Sequence, residues 1–180
     1  MIESEGLSGL RMSDLARRSG VATGTLYIYH PSKEAIVQSL YSFVFGQISL
    51  DVMRDLDLES DIKSSLRQVS LNYLREFVAY PEYWVFVEQY MRSPYAQEEH
   101  KNLLTIYEYM EPMIELFRAG IKKGALKPVD PSLLLTLSRG ALDNYGWRLV
   151  STNSSTFSME EFNTVFEILW DAVAATPQKS

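Results

Sequence analysis

The sequence predicts an all-α protein. Apolar residues from about residue 11 onward recur at helical spacing rather than in alternation. Breakers appear only at intervals along the chain. With 180 residues, of which 46% are apolar, the chain can bury a sizeable core, which argues against a disordered or fibrous reading.

Each element follows from its punctuation. Leu10, Leu15 and Ala16 begin a short helix that stops at Ser19-Gly20, because glycine commonly follows a helix C-terminus. A second short helix runs from about Ala22 to Tyr29, and His30-Pro31-Ser32 breaks it. Ser32 is placed to cap a long third helix, whose Ile36, Val37, Leu40, Phe43 and Val44 mark one buried face. Further helices are expected at about 60–79, ended by Pro81; at about 82–92, ended by Ser93-Pro94; and at about 95–123, ended by Gly124. A segment from Pro131, suited to a first helical turn, runs to Val150. After the polar run Ser151 to Thr156, a last helix spans about 159–174, and Pro177 to Ser180 form a frayed tail. No internal repeat is present.

Composition removes several classes of function. There is no cysteine, so disulfides, zinc fingers and thiol catalysis are excluded, and with only His30 and His100 a histidine-rich metal site is not expected. No cofactor is expected, and an enzyme is not: no glycine-rich phosphate loop, paired carboxylates or Ser-His-Asp set stands out. No run approaches eighteen uninterrupted apolar residues and the N-terminus lacks a signal pattern, so the expectation is a cytoplasmic protein without a membrane partner. The net charge of −6 is unevenly spread. Residues 1–47 balance Arg11, Arg17, Arg18 and Lys33 against Glu3, Glu5, Asp14 and Glu34, and the negative excess lies beyond them. A neutral head on an acidic body is compatible with contact to a polyanion by the head alone.

The stretch Asp14 to Glu34, DLARRSGVATGTLYIYHPSKE, is the most informative in the chain. It reads as helix, tight glycine turn, helix, with Leu15, Ala16, Val21 and Leu26 as the apolar junction. The second helix carries small and hydroxyl-bearing residues that let a backbone approach DNA and donate to phosphate oxygens. Over about twenty-five residues this run resembles the DNA-binding signature of the TetR family, in which a G-V-S-x-G-T-L-Y-x-Y-F-x-S-K-E-like segment follows a helix with an Ile/Leu-Ala pair. The resemblance implies a helix-turn-helix domain over 1–47, with the helix from Ala22 in the major groove of operator DNA. It implies Thr23, Gly24 and Ile28 nearest the base edges, Thr25, Tyr27, Tyr29 and Lys33 on the backbone, and Arg17 adding a phosphate or groove contact. With threonine, glycine and isoleucine on the reading face, few bidentate base contacts are available. Ala22 stands where such proteins usually carry a capping hydroxyl, Arg11 where they carry threonine, and His30 where they carry a buried phenylalanine. The resemblance also implies an opening amphipathic helix, which is expected to be largely missing here, with only Met1 to Glu5 to represent its last turn.

Residues 48–180 are expected to form a ligand-binding and dimerisation domain. The region 73–117 is dense in aromatic and methionine side chains. Most are ordinary core, yet tyrosine hydroxyls and adaptable methionines also suit an apolar pocket with a few polar groups. Tyr73, Phe77, Trp84, Tyr107, Met110, Phe117 and Trp147 are the candidate lining for a small apolar or amphipathic effector, with Glu88, Arg92 or Asp143 for polar recognition. Leu134, Leu137, Ala141, Leu142 and Tyr145, and then Phe162, Val165, Phe166, Leu169 and Val173, make the last two helices apolar, with Gly140 and Gly146 permitting close approach. Two such helices from each chain can form a four-helix homodimer interface, as the resemblance also implies, and a C2 dimer predicts a palindromic operator. The implied role is a repressor; the alternative is a helical dimeric ligand- or protein-binding module without DNA binding.

Overall fold

The computed structural model describes residues 6–7, 9–57, 61–99, 104–152 and 156–176; of these, the side chains of 97–99 and 104–109 are not described. Met1 to Glu5 and Pro177 to Ser180 lie outside the described residues. The described helices are α1 Met12–Ser19, α2 Thr23–Tyr29, α3 Lys33–Val52, α4 Ile62–Ala79, α5 Pro81–Met91, α6 Pro94–Glu99, α7 Leu104–Lys122, α8 Pro131–Ser151 and α9 Met159–Val173. Among the described residues the sole extended pairing is an isolated antiparallel bridge between Leu126 and Ala174, so the architecture is all-α.

Local chemistry accounts for most of the ends. Gly20 adopts φ 70°, ψ 20° and its amide closes on the Ala16 and Arg17 carbonyls, the left-handed stop that glycine takes without a steric cost. The Ser32 hydroxyl accepts the Ala35 amide at 3.1 Å and starts α3. Asp61, Asp130 and Ser158 cap α4, α8 and α9 in the same way. α4 ends at Ala79 and α5 at Met91, as expected ahead of Pro81 and Ser93-Pro94, and each proline also opens the next helix, where the missing N–H leaves no hydrogen bond unmade. The helix expected over 95–123 is described as α6 and α7, with residues 100–103 outside the described set.

The chain divides into two compact units. The first joins Met1–Gln47 to Glu82–Ile106. Its core contains Leu7, Leu10, Met12, Ala16, Val37, Tyr41, Val44, Phe45, Trp84, Phe86, Val87 and Tyr90, all buried. Tyr41 and Tyr90 stack with ring centroids 3.9 Å apart, and the Tyr41 hydroxyl points at Met91 Sδ at 3.7 Å.

The second unit joins Ile48–Pro81 to Tyr107–Ser180. There α4, α8 and α9 pack on one another around Leu66, Val69, Leu74, Phe77, Leu142, Phe162 and Phe166. The Asn72 amide donates to the Val52 and Arg54 carbonyls at 3.2 and 2.9 Å, satisfying the end of α3 from within α4. The segment after α7 is tied to the end of α9, with Lys127 donating to Val173 and Ala175 donating to Ala125, each at 2.9 Å.

By length and composition α3 could cross a membrane. Gln38, Gln47, Ser49 and Asp51 interrupt its apolar run, and Val37, Tyr41, Val44, Phe45, Ile48 and Val52 are buried against protein.

Candidate nucleic-acid interface

Helices α1 and α2 pack on each other across the Gly20 turn. Ala16 is the buried centre of the junction, with Leu15 and Leu26 half-buried beside it. Val21, expected in the junction, is 40% exposed, because its amide is turned in to the Ala16 carbonyl at 3.1 Å while its side chain is left outside. Arg17 is exposed and ion-paired with Asp14 one turn earlier at 2.8 Å. Such a surface pair contributes little and can exchange partners.

No residue of α2 is buried. Tyr27 is 48%, Ile28 78% and Tyr29 76% exposed, while Thr23, Gly24 and Thr25 are also on the surface. Six of its seven residues are exposed, so α2 is held by its ends and by Leu26 rather than by a broad apolar face. At the front, Ala22 supplies no side-chain cap, as its residue type implies. At the back, the His30 amide closes on the Leu26 carbonyl at 2.8 Å, and His30 Nδ1 lies 3.4 Å from the Ser39 hydroxyl. His30 is half-buried, so the ring sits at the edge of this unit. Lys33, also half-buried, opens α3 next to Glu34, whose carboxyl is held below the usual carboxylate range by its own backbone amide and the Ser32 hydroxyl. The two short helices and the start of α3 therefore bring Arg17, Thr23, Gly24, Thr25, Tyr27, Ile28, Tyr29 and Lys33 onto one small unit, with six of the eight drawn from the exposed α2.

Residues 1–40 match the family described as bacterial regulatory proteins, tetR family. A TetR-family transcription regulator from Shewanella sp. PV-4 superposes with a TM-score of 0.86 at 24% identity, covering 97% of this chain and 93% of that one. The first forty residues thus carry the TetR-family match, and the whole chain has the fold of TetR-family regulators. Two curated proteins are similar over most of the chain. The nucleoid occlusion factor SlmA of Aliivibrio fischeri is 26% identical over 176 residues, 94% of this chain and 88% of its own. The fatty acid metabolism regulator protein of Bacillus subtilis is 22% identical over 170 residues, with the same shares covered. A solved B. subtilis FadR, in complex with stearoyl-CoA, has a TM-score of 0.76 at 22% identity, covering 93% of this chain and 91% of that one.

The candidate effector residues of this chain are distributed unevenly. In the second unit, Phe77 is fully buried, with Trp147 edge-on at 5.0 Å and Tyr73 at 6.3 Å between ring centroids. The Tyr73 hydroxyl donates to Asp143, and Arg139 Nε donates to the other Asp143 oxygen at 3.3 Å. Burial, followed by the Asp143 charge, pushes the Tyr73 phenol well above its ordinary value. Phe117 is buried in α7 and Met110 is half-buried on the same helix. Trp84 is buried in the first unit, and the Tyr107 side chain lies outside the described residues. Of the polar candidates, Asp143 joins the Tyr73 cluster, whereas Glu88 and Arg92 form an exposed ion pair with each other at 2.7 Å.

On α8, residue type alone did not single out Ser138, and it assigned Tyr145 only to the apolar face of the dimer helices. Both hydroxyls are buried and have no hydrogen-bond partner among the described residues. Their spacing of seven puts them on one face of the helix, two turns apart.

Proposed function

We propose that this chain is a repressor that binds a palindromic operator as a homodimer and is released by a small hydrophobic or amphipathic effector. The carrying observation is the exposed α2: a short helix at the matched TetR position whose side chains, Leu26 apart, stand on the surface where they can enter a groove. Thr23, Gly24 and Ile28 face base edges, and Thr25, Tyr27, Tyr29, Lys33 and Arg17 hold the sugar-phosphate backbone.

Dimerisation through α8 and α9 is supported by what these helices leave outside. Leu137 is 61% and Ile168 67% exposed, with Leu133 also on the surface, although both helices are otherwise well packed within their own unit. A C2 pair over these faces would present two α2 helices about one DNA turn, roughly 34 Å, or more apart.

The effector reading rests on the second unit. Tyr73, Phe77 and Trp147 form an aromatic cluster beside the Tyr73–Asp143 hydrogen bond, and buried hydroxyls at Ser138 and Tyr145 lack partners. Met110 and Phe117 extend the apolar supply on α7. A structural neighbour binds an acyl-CoA, an amphipath of the proposed kind. Release needs only a ligand whose affinity differs between two head spacings by a few kcal/mol.

The test is an anisotropy titration against the intergenic DNA upstream of the chain's own gene at two salt concentrations, with stearoyl-CoA among the release probes. Tight binding that weakens with salt supports the regulator, and loss of binding on addition of an amphipath supports the effector. Binding at only the non-specific level in both salts overturns the repressor reading and leaves a helical ligand- or protein-binding module.

A further inference from the structure

The recognition surface of α2 is chemically narrow. From Leu15 to Lys33, between Asp14 and Glu34, the chain carries Arg17, Arg18 and Lys33 and no carboxylate, in a protein of net charge −6, so this stretch can meet a polyanion. From Ala22 to Tyr29 it has no charged side chain and no side-chain amide. A Cβ built on Gly24 meets nothing within 4 Å, so the helix backbone is bare at that point. One turn later on the same face, Ile28 projects with 78% of its surface exposed, flanked by the exposed Thr25 and Tyr29.

This inventory restricts which base features can be told apart. Guanine is read by arginine or lysine, adenine by asparagine or glutamine, and cytosine by a carboxylate; α2 has none of these, and threonine hydroxyls pair with several bases without preference. The remaining distinguishing feature of the major groove is the thymine 5-methyl group, which an aliphatic side chain can cover. Gly24 allows the backbone to come close enough for a side chain as short as isoleucine to reach the base edges.

We infer that α2 reads thymine methyl groups, with Ile28 as the specificity-determining residue and the major groove of duplex DNA as the occupant of this face. The inference rests on the DNA-binding reading above. Sequence selection therefore comes from apolar contact to thymines under each α2, and Arg17, Arg18 and Lys33 supply affinity without base preference.

The experiment selects duplexes from a random-sequence library with the full chain, then resynthesises the recovered site in two forms. One replaces its conserved thymines with uracil, which removes only the methyl. The other replaces its purines with 7-deaza analogues, which removes only the N7 acceptor. Uracil is expected to weaken binding about four-fold per half-site, the worth of one buried methyl-sized group, and about fifteen-fold when both half-sites are changed. The 7-deaza duplex is expected to bind within two-fold of the parent. Ile28→Ala, at a position that supports no core, is expected to bind thymine and uracil sites equally while keeping the helical circular-dichroism spectrum. Equal binding of thymine and uracil sites by the unaltered chain, or a larger loss with 7-deaza purines, overturns this inference and leaves the DNA-binding reading standing. Recovery of no duplex overturns both.

Discussion

The Phe77 ring lies against the backbone of Gly146 so closely that a Cβ at that position would come within 2.7 Å of Phe77 Cγ. The ring is fully buried and flanked by Trp147, so it has no open side to move to. Gly146→Ala is therefore expected to destabilise the protein by about 1–2 kcal/mol: overpacking costs about 1–3 kcal/mol, and better helix propensity returns up to about 1. Urea unfolding measures this, and an unchanged or raised midpoint would remove the packing explanation for the glycine.

Gly140 is the contrasting case on the same helix, since a Cβ there meets nothing within 4 Å in the protomer. Leu137 one turn earlier is widely exposed. Leu137→Glu is expected to convert a dimer to monomer in sedimentation while the protomer keeps its helical content. A dimer of unaltered stability would place the interface elsewhere.

Alkaline pH should expose the buried Tyr73–Asp143 pair. Below about pH 10 the phenol is protonated in both the folded and unfolded chain. Above it the unfolded chain loses its proton, while the folded chain, held neutral by burial and by the Asp143 charge, keeps it. Stability contributed by Tyr73 is thus complete below pH 10 and lost as the pH rises, by at most about 1.4 kcal/mol per unit. Urea unfolding from pH 9 to 11 should show a steeper decline for the unaltered chain than for Tyr73→Phe. Identical slopes would mean that the hydroxyl is not desolvated.

Asn72 bridges two carbonyls at the end of α3, Val52 and Arg54. Asn72→Ala is expected to cost about 1–3 kcal/mol, because it leaves the buried Val52 carbonyl without this donor. Hydrogen exchange should localise the loss to the end of α3. A uniform loss across the chain would point to a general packing defect.

Salt dependence of DNA binding is bounded by the head's few cations. If only Arg11, Arg17, Arg18 and Lys33 of each protomer take part, the logarithmic slope for a dimer is no steeper than about −7, at about −0.9 per phosphate neutralised. Lys33→Ala should lessen the slope by roughly 2 per dimer. A much steeper slope would show that cations outside residues 1–47 join the interface.

Much of the fold was legible from local punctuation. Gly20 stops α1, Ser32 caps α3 and Pro131 opens α8 because each acts on backbone groups within one turn of itself. The head was legible for the same reason: its signature is contiguous, and α2 owes its exposure to residues that lie side by side in the chain.

What local chemistry alone determined about this protein is an all-α chain with a helix-turn-helix head, since periodicity and breakers act over a few residues. Tertiary structure decided which apolar residues face inward. Leu133, Leu134, Leu135 and Leu137 are equally apolar, but Leu134 and Leu135 are buried while Leu133 and Leu137 stand outside. A helix with leucines on several sides has no single inward face until neighbours cover part of it. The same holds for Leu142, Tyr145, Phe162, Phe166 and Val173, which spend their apolar surface inside the protomer. Tertiary structure also grouped Glu82–Ile106 with the head and brought Tyr73 to Asp143 across seventy residues of chain. Contacts of that separation depend on how whole helices pack, and no spacing rule along the sequence encodes them.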